Sequence, residues 1–264
     1  MNIPPRVDVV GTGISTGTVE ETVALILDPP PTGMRVAVCT VHSVMTARHD
    51  PALRAALTAA DITTPDGVPL AWALRLSGVP GQERVDGYSV FHHTIEAGLE
   101  PKKRHFFYGA TPETLDKLVT SLTSAYPAIQ IVGTHAPPFR SLTDDEFEND
   151  MAQISGAAPD VVWVGIGMPK QELWMARAED WLPGVSLVGV GAVFDWVAGN
   201  VPKAPNWMQR AGLEWLYRVY REPRRLWRRY LWNNPAYLGL LAAQLVRSRT
   251  GAAPVAEKHD QPSG

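Results

Sequence analysis

Several short stretches of this chain place reactive or charged side chains beside glycine where an apolar run ends. In Thr63-Thr64-Pro65-Asp66-Gly67-Val68 a β-rich run stops, an Asp-Gly pair makes a turn and a helical pattern begins. A carboxylate at such a strand end can take the proton of an attacking hydroxyl. The plainer alternative is that Asp66 serves only the turn. In Gly165-Ile166-Gly167-Met168-Pro169-Lys170-Gln171-Glu172 a strand edge again enters a helix, with Lys170 and Gln171 in its first turn. Backbone N–H groups and the helix dipole favour an anion there, and Lys170 adds charge suited to a diphosphate. Otherwise Glu172 balances the dipole while Lys170 and Gln171 are simply solvated. A second glycine-lined strand end, Gly189-Val190-Gly191-Ala192-Val193-Phe194-Asp195, argues for the anion site and adds Asp195 to the candidates.

Two further stretches supply candidates of less specific type. Glu83-Arg84-Val85-Asp86-Gly87 puts an arginine in a loop before a helix, and Arg suits bidentate phosphate recognition, although a loop Arg can also be a plain surface charge. Cys39-Thr40-Val41-His42 ends a strand with a hydroxyl and an imidazole on the same crevice edge, where His42 either binds ligand or is structural. Gly11-Thr12-Gly13-Ile14-Ser15-Thr16-Gly17 suggests a dinucleotide loop. Its third glycine is one position late, and no acidic residue closes the next strand to hold a ribose. The chain has no Asp-x-Asp, no paired His at helical spacing and no Cys cluster, so no metal ligand set and no cofactor is expected.

The elements that must position these residues follow from the hydrophobic pattern. Apolar, β-rich runs over Val7–Gly11, Arg35–Thr40, Asp61–Thr64, Arg104–Gly109, Ile129–Thr134, Val161–Gly165 and Val185–Val190 predict strands. Helices are predicted over Thr18–Leu27, His42–Ala60, Pro69–Ser77, Tyr88–Ala97, Pro112–Ala125, Asp144–Ser155 and Pro169–Trp181. Their alternation reads as an α/β fold, a mainly parallel sheet with helices on both faces. Ligand crevices of such sheets lie at the carboxyl ends of the strands, which is where Asp66 falls. Thr111-Pro112 and Met168-Pro169 each read as an N-cap followed by proline at the first helical position.

After Gly199 the pattern changes. Between Lys203 and Trp232 there are eight basic residues against Glu214 and Glu222, although the whole chain carries a net charge of −3. Helices over about Asn206–Arg221 and Arg224–Val246 are expected to meet at Glu222-Pro223. The domain reading is therefore a core over 1–198, a basic amphipathic helical appendage over 199–249 and a disordered polar tail over 250–264. Arginines at near-helical spacing, interleaved with Trp and Tyr, suit the headgroup zone of an anionic membrane or a lipid diphosphate. The alternative is an ordinary helix pair with a solvated Arg stripe. The overall acidity argues against a nucleic-acid partner. The single cysteine, Cys39, gives no sign of an oxidising compartment, and Met1–Asp8 does not read as a signal peptide. The apolar stretch Ala236–Val246 is shorter than the ~20 residues a bilayer span needs, so any work at a membrane is expected from its surface.

Taken in order, Pro65-Asp66-Gly67, Glu83-Arg84-Val85-Asp86-Gly87, Gly165–Glu172, Gly189–Asp195, Ala204-Pro205-Asn206-Trp207-Met208-Gln209, Gly212–Arg218 and Glu222-Pro223-Arg224-Arg225 resemble the WecG/TagA/CpsF glycosyltransferases over roughly residues 7 to 240. The resemblance implies a Rossmann-like enzyme that inverts the anomeric centre without a metal. It implies transfer of N-acetylmannosamine or a related sugar from UDP to a polyprenyl-diphosphate-linked sugar in cell-envelope synthesis. Other members are similar and use other UDP-sugars, such as glucuronic acid or glucose. A nicotinamide-dependent oxidoreductase is a distant rival resting on Gly11–Gly17, and a non-enzymatic adaptor is another, resting on the basic tail. The family pattern implies Asp66 as base, Arg84 and Gln171 in binding or catalysis, and Arg218, Arg225 and Arg228 closing over the site to engage the lipid diphosphate. It also implies a cytoplasmic protein peripheral on the inner face of the cell membrane, whose core can self-associate into a homo-oligomer. One departure stands out: this chain has Thr40-Val41-His42 where the family usually shows Thr-x-Asn.

Overall fold

The computed structural model describes residues 2–202, 204, 208, 216–217 and 223–250, with side chains for 233–248 of that last stretch. It opens with a hairpin. Strand β1 (Arg6–Val9) pairs antiparallel with β2 (Thr12–Ser15), Val9 opposite Thr12. The two-residue turn is Val10-Gly11, with φ of 54° and 84°. Two-residue hairpin turns whose twist suits the strands need positive φ at both positions, which explains Gly11. One expectation changes here: the Val7–Gly11 strand does not join the parallel sheet. The glycine run whose spacing already argued against a dinucleotide loop lies partly in this hairpin, with Gly13 inside β2. The hairpin is tied to the sheet edge by side chains: the Thr63 N–H donates to Ser15 Oγ at 3.0 Å, and Thr63 Oγ1 donates to the Gly13 carbonyl at 2.6 Å.

Past helix α1 (Val19–Leu27), the alternating runs build a six-stranded parallel sheet. Its strands are β3 (Met34–Cys39), β4 (Ile62–Pro65), β5 (Arg104–Gly109), β6 (Gln130–His135), β7 (Val161–Gly165) and β8 (Ser186–Gly189), in the order β4-β3-β8-β7-β5-β6. Val161, Val162, Trp163 and Val164 are all fully buried, as a strand covered on both faces must be. The Trp163 indole N–H donates to His105 Nδ1 at 3.2 Å, so the one polar atom of that side chain is satisfied inside the core.

The remaining helices are α2 (Val41–Ala47), α3 (Pro51–Ala59), α4 (Val68–Leu76), α5 (Gly87–Gly98), α6 (Pro112–Ala125), α7 (Asp144–Gly156), α8 (Lys170–Ala178), α9 (Val193–Val197) and α10 (Pro223–Thr250). The helix expected from His42 to Ala60 is two helices. Pro51 forces Asp50 into an extended conformation (φ −120°, ψ 97°), and the Asp50 carboxylate then caps α3 by accepting the Leu53 N–H at 3.0 Å. Thr111 caps α6 as expected. Pro169 instead occupies the N-cap of α8 itself, where it can offer no side-chain acceptor.

Helix α10 is a core element along its second half. Tyr237 and Leu241 are buried with Val9, Ile14, Leu70 and Leu74, and the Tyr237 hydroxyl donates to the Pro69 carbonyl at 3.2 Å. One turn on, Gln244 clamps the hairpin: its Nε2 donates to the Asp8 carbonyl at 2.7 Å, and its Oε1 accepts the Val10 N–H at 2.8 Å. Positions 237, 241 and 244 repeat at the three- and four-residue steps that keep one helix face on its support. Of the helix expected over Asn206–Arg221 only residues 208, 216 and 217 are described, each helical; of the tail expected over 250–264, Thr250 ends α10 and 251–264 lie outside the described residues. Among the described residues no helix is long and apolar enough to cross a membrane.

Candidate functional site

Four adjacent strands, β4, β3, β8 and β7, end at one cleft of about 270 Å³. It gathers Thr40, His42, Asp66, Arg84 and Gln171, five side chains from four separate strand exits and loops. Lys170 and Asp195 are not among the lining residues. The Lys170 ammonium faces outward and donates to the Phe139 carbonyl at 3.0 Å, while Asp195 accepts from Asn200 Nδ2 at 3.2 Å. Arg218 lies outside the described residues. So do the side chains of Arg225 and Arg228, whose backbone belongs to α10.

Local backbone bonds fix the lining residues. The Asp66 N–H donates to the Cys39 carbonyl at 2.8 Å, stitching the exit of β4 to the end of β3. Gly67 follows at φ 102°, a conformation that side-chain-bearing residues rarely adopt, so the chain turns into α4 immediately after the carboxylate. The Val85 N–H donates to the Pro65 carbonyl at 3.1 Å and holds the Arg84 loop against the same strand end. Arg84 pairs with Asp86 at 3.5 Å. Asp86 in turn caps α5, accepting the Ser89 N–H at 3.1 Å and the Ser89 hydroxyl at 2.8 Å.

Capping is unevenly distributed. Among α1 to α9, Thr18, Thr40, Asp50, Asp86, Thr111 and Thr143 cap their helices with a side-chain acceptor. Helices α4, α8 and α9 have no side-chain cap bond, and all three open onto the cleft through Gly67, Met168 and Ala192. A ligand there meets the starts of three helices without competing with a side-chain cap.

Beneath the cleft, Gln171 and Glu172 are both almost fully buried, and Gln171 Nε2 donates to Glu172 Oε1 at 2.9 Å. Burial pushes the Glu172 carboxyl up to about 6, against the opposing pull of that hydrogen bond. The Cys39 thiol is pushed far up by its own burial, with the Glu172 charge adding to the effect. Glycine makes room for the amide: a Cβ at Gly189 would stand 3.0 Å from Gln171 Nε2.

Asp86, Trp196, Asn233 and Asn234 also line the cleft without having been singled out in the sequence. Asp86 had a signal, since it stands just before the helix that it caps. The two asparagines had none, because only the docking of α10 brings them there. Asn233 Nδ2 lies 2.9 Å from His42 Nδ1, so the helix also touches a predicted site residue. Among the described residues no group of three or more His, Cys, Asp or Glu side chains is disposed to hold a metal.

A family model described as the glycosyl transferase WecG/TagA/CpsF family matches residues 7–251. The chain is 33% identical over 212 residues to an N-acetylglucosaminyldiphosphoundecaprenol N-acetyl-beta-D-mannosaminyltransferase of Bacillus spizizenii, a match that covers 79% of this chain and 77% of that enzyme. A Bacillus subtilis enzyme of the same name is 35% identical over 179 residues, covering 66% of each chain.

Proposed function

Because the chain belongs to the WecG/TagA/CpsF family and is a glycosyltransferase, we propose that its cleft moves N-acetylmannosamine or a related sugar from UDP to a sugar on polyprenyl diphosphate, inverting the anomeric centre without a metal. The observation that carries this reading is the meeting of the Asp66 carboxylate with the Arg84–Asp86 pair in a single cleft at the strand ends, onto which three helices without side-chain caps open. Asp66 takes the proton of the acceptor hydroxyl as that oxygen attacks the anomeric carbon from the face opposite UDP. Negative charge then grows on the departing diphosphate. Fixed donors aimed at that charge lower the barrier without having to reorganise. The Arg84 guanidinium is such a donor, and the starts of α4 and α9, which carry no side-chain cap, add backbone N–H groups.

The acceptor reading rests on the two mannosaminyltransferases, whose names specify a polyprenyl-diphosphate-linked N-acetylglucosamine. A lipid-borne acceptor brings the enzyme to the inner face of the membrane. The basic stretch of the sequence around Arg218, Arg225 and Arg228 suits both an anionic surface and the lipid diphosphate, and a homo-oligomer is compatible with the same arrangement. His42 favours a second reading of the donor. With Nδ1 facing the Asn233 amide it offers a ring N–H where the family's usual asparagine offers an amide, which would suit a charged sugar such as glucuronic acid.

The test is turnover of a synthetic polyprenyl-diphosphate N-acetylglucosamine with a panel of UDP-sugars, following UDP release with chelator present. Release with one donor and inversion in the product support the proposal and identify the sugar. Release that chelator abolishes removes the metal-free mechanism, and a retained anomeric configuration removes direct displacement.

A further inference from the structure

Glu172 is a buried carboxylate that makes no ion pair among the described residues, an arrangement that ordinarily costs stability. One oxygen, Oε1, accepts from Gln171 Nε2 at 2.9 Å; the other, Oε2, has no hydrogen-bond partner among the described residues. An ionised carboxylate can only accept, so the neighbouring amide must turn its NH2 toward it. That fixes where the other end of the amide goes. Gln171 Oε1 is likewise buried and without a hydrogen-bond partner among the described residues. It lies on the cleft side, 3.7 Å from where a Cβ on the lining residue Gly191 would stand. A buried carbonyl left open in this way costs free energy until a donor reaches it.

We propose that Glu172 is a positioning residue that locks the Gln171 amide with its carbonyl toward the cleft, so that this part of the site reads a hydrogen-bond donor of the ligand. A diphosphate offers only acceptors and is repelled by a carbonyl oxygen, so the phosphates lie elsewhere, toward Arg84. The group that meets Gln171 Oε1 is an O–H or N–H, either from the transferred sugar (a hydroxyl or an acetamido N–H) or from the uridine (a ribose hydroxyl or the imide of the base). The identity of that ligand rests on the UDP-sugar reading above, whereas the locked amide does not.

Two variants and two readouts test this. Glu172→Leu removes the acceptor, and Glu172→Gln replaces it by an amide that no longer dictates which way Gln171 faces. Affinities for UDP and for the active UDP-sugar are measured by calorimetry at pH 8, beside thermal unfolding of each protein. The expected result is a five- to tenfold weaker UDP-sugar with no loss in melting temperature, since the variants relieve a buried charge. If UDP weakens equally, the donor is on the uridine; if UDP is unaffected, the donor is on the transferred sugar. Unchanged affinity in both variants overturns the proposal. So does affinity that falls only in step with the melting temperature, because that marks a structural role.

The side-chain amide protons of Gln171 give a ligand-free readout by NMR. In the wild-type protein they should lie downfield and exchange slowly, and in Glu172→Gln they should lose both properties. Wild-type protons at solvent-exposed values overturn the lock. Should the wild-type protein bind no UDP-sugar, the donor reading fails while the amide spectrum still decides the role of Glu172.

Discussion

Asn233 Nδ2 of the C-terminal helix lies 2.9 Å from His42 Nδ1 at the edge of the cleft. An amide NH2 only donates, so Nδ1 accepts and the proton of the neutral ring resides on Nε2. The helix that buries Tyr237 and Leu241 thus also sets which face of an imidazole the ligand meets. Asn233→Leu should release that restraint while leaving the helix docked. Nitrogen NMR of the ring should then show a mixture of tautomers in place of one. The KM for the sugar donor should rise about three- to tenfold, the worth of one net hydrogen bond. An unchanged tautomer would show that Thr46, 3.3 Å from the same nitrogen, is sufficient to set it.

Asp66→Asn keeps the size and turn chemistry of the side chain but cannot take a proton. If the carboxylate is the base, kcat should fall about 10²–10⁴-fold while UDP binds as before, because the Cys39 carbonyl bond that holds the position belongs to the backbone. The measurement is steady-state turnover beside equilibrium UDP binding. Turnover within about tenfold of wild type would move the base elsewhere and leave Asp66 as a turn residue.

What the sequence disclosed and what it hid divide by range. Val161 to Val164 announce a doubly covered strand through local composition alone, and Asp66 is exposed as a candidate by the Pro-Asp-Gly turn that follows such a strand. Chain-local signals also misled. Val7–Gly11 reads as a strand of the main sheet until it pairs across a hairpin, and an apolar pattern from His42 to Ala60 conceals the break that Pro51 enforces. Lys170, whose place in a first turn suits a phosphate, has its ammonium on the Phe139 carbonyl of another loop, a contact with no local marker in the sequence. Asn233 and Asn234 depend on contacts with residues almost two hundred positions away, for which the sequence has no local marker.

Arg84→Lys preserves charge and loses the planar fork. In the wild-type protein Arg84 also pairs with Asp86, whose carboxylate caps α5, so the arginine is braced against a helix start. If the guanidinium engages the diphosphate bidentately, UDP should bind roughly tenfold more weakly to the lysine variant at low salt. Uridine, which lacks phosphate, should bind equally well to both proteins. Equal loss for uridine would place Arg84 at the base or ribose.

Tyr237 tests whether α10 is an integral part of the core. It is 1% exposed and packs on the hairpin and α4. Tyr237→Phe removes only the bond to the Pro69 carbonyl and should cost about 1 kcal/mol in denaturant unfolding. Tyr237→Ala should cost about 3–5 kcal/mol by opening a cavity between helix and core. A loss near zero for the alanine variant would mean that the helix rests on the core without contributing to its stability.

His105 should make the protein acid-sensitive. Burial lowers its folded-state value to about 4, from an ordinary value near 6.5, and its Nδ1 is occupied by the Trp163 indole N–H. Between these values the unfolded chain binds a proton that the native ring refuses, so stability falls as pH drops from about 6.5 toward 4. The loss attributable to this group between pH 7.5 and 5 is about 2 kcal/mol. Glu172 works in the opposite sense. Its value is raised to about 6, so its ionisation erodes stability as pH climbs from about 4.5 to 6 and restores part of the loss on acidification. The two are separated by substitution. His105→Asn keeps an acceptor for the indole and does not titrate, so its unfolding free energy should exceed the wild-type trend by about 2 kcal/mol at pH 5 relative to pH 7.5. Parallel pH profiles for the two proteins would mean that the native ring takes up its proton as readily as the unfolded one.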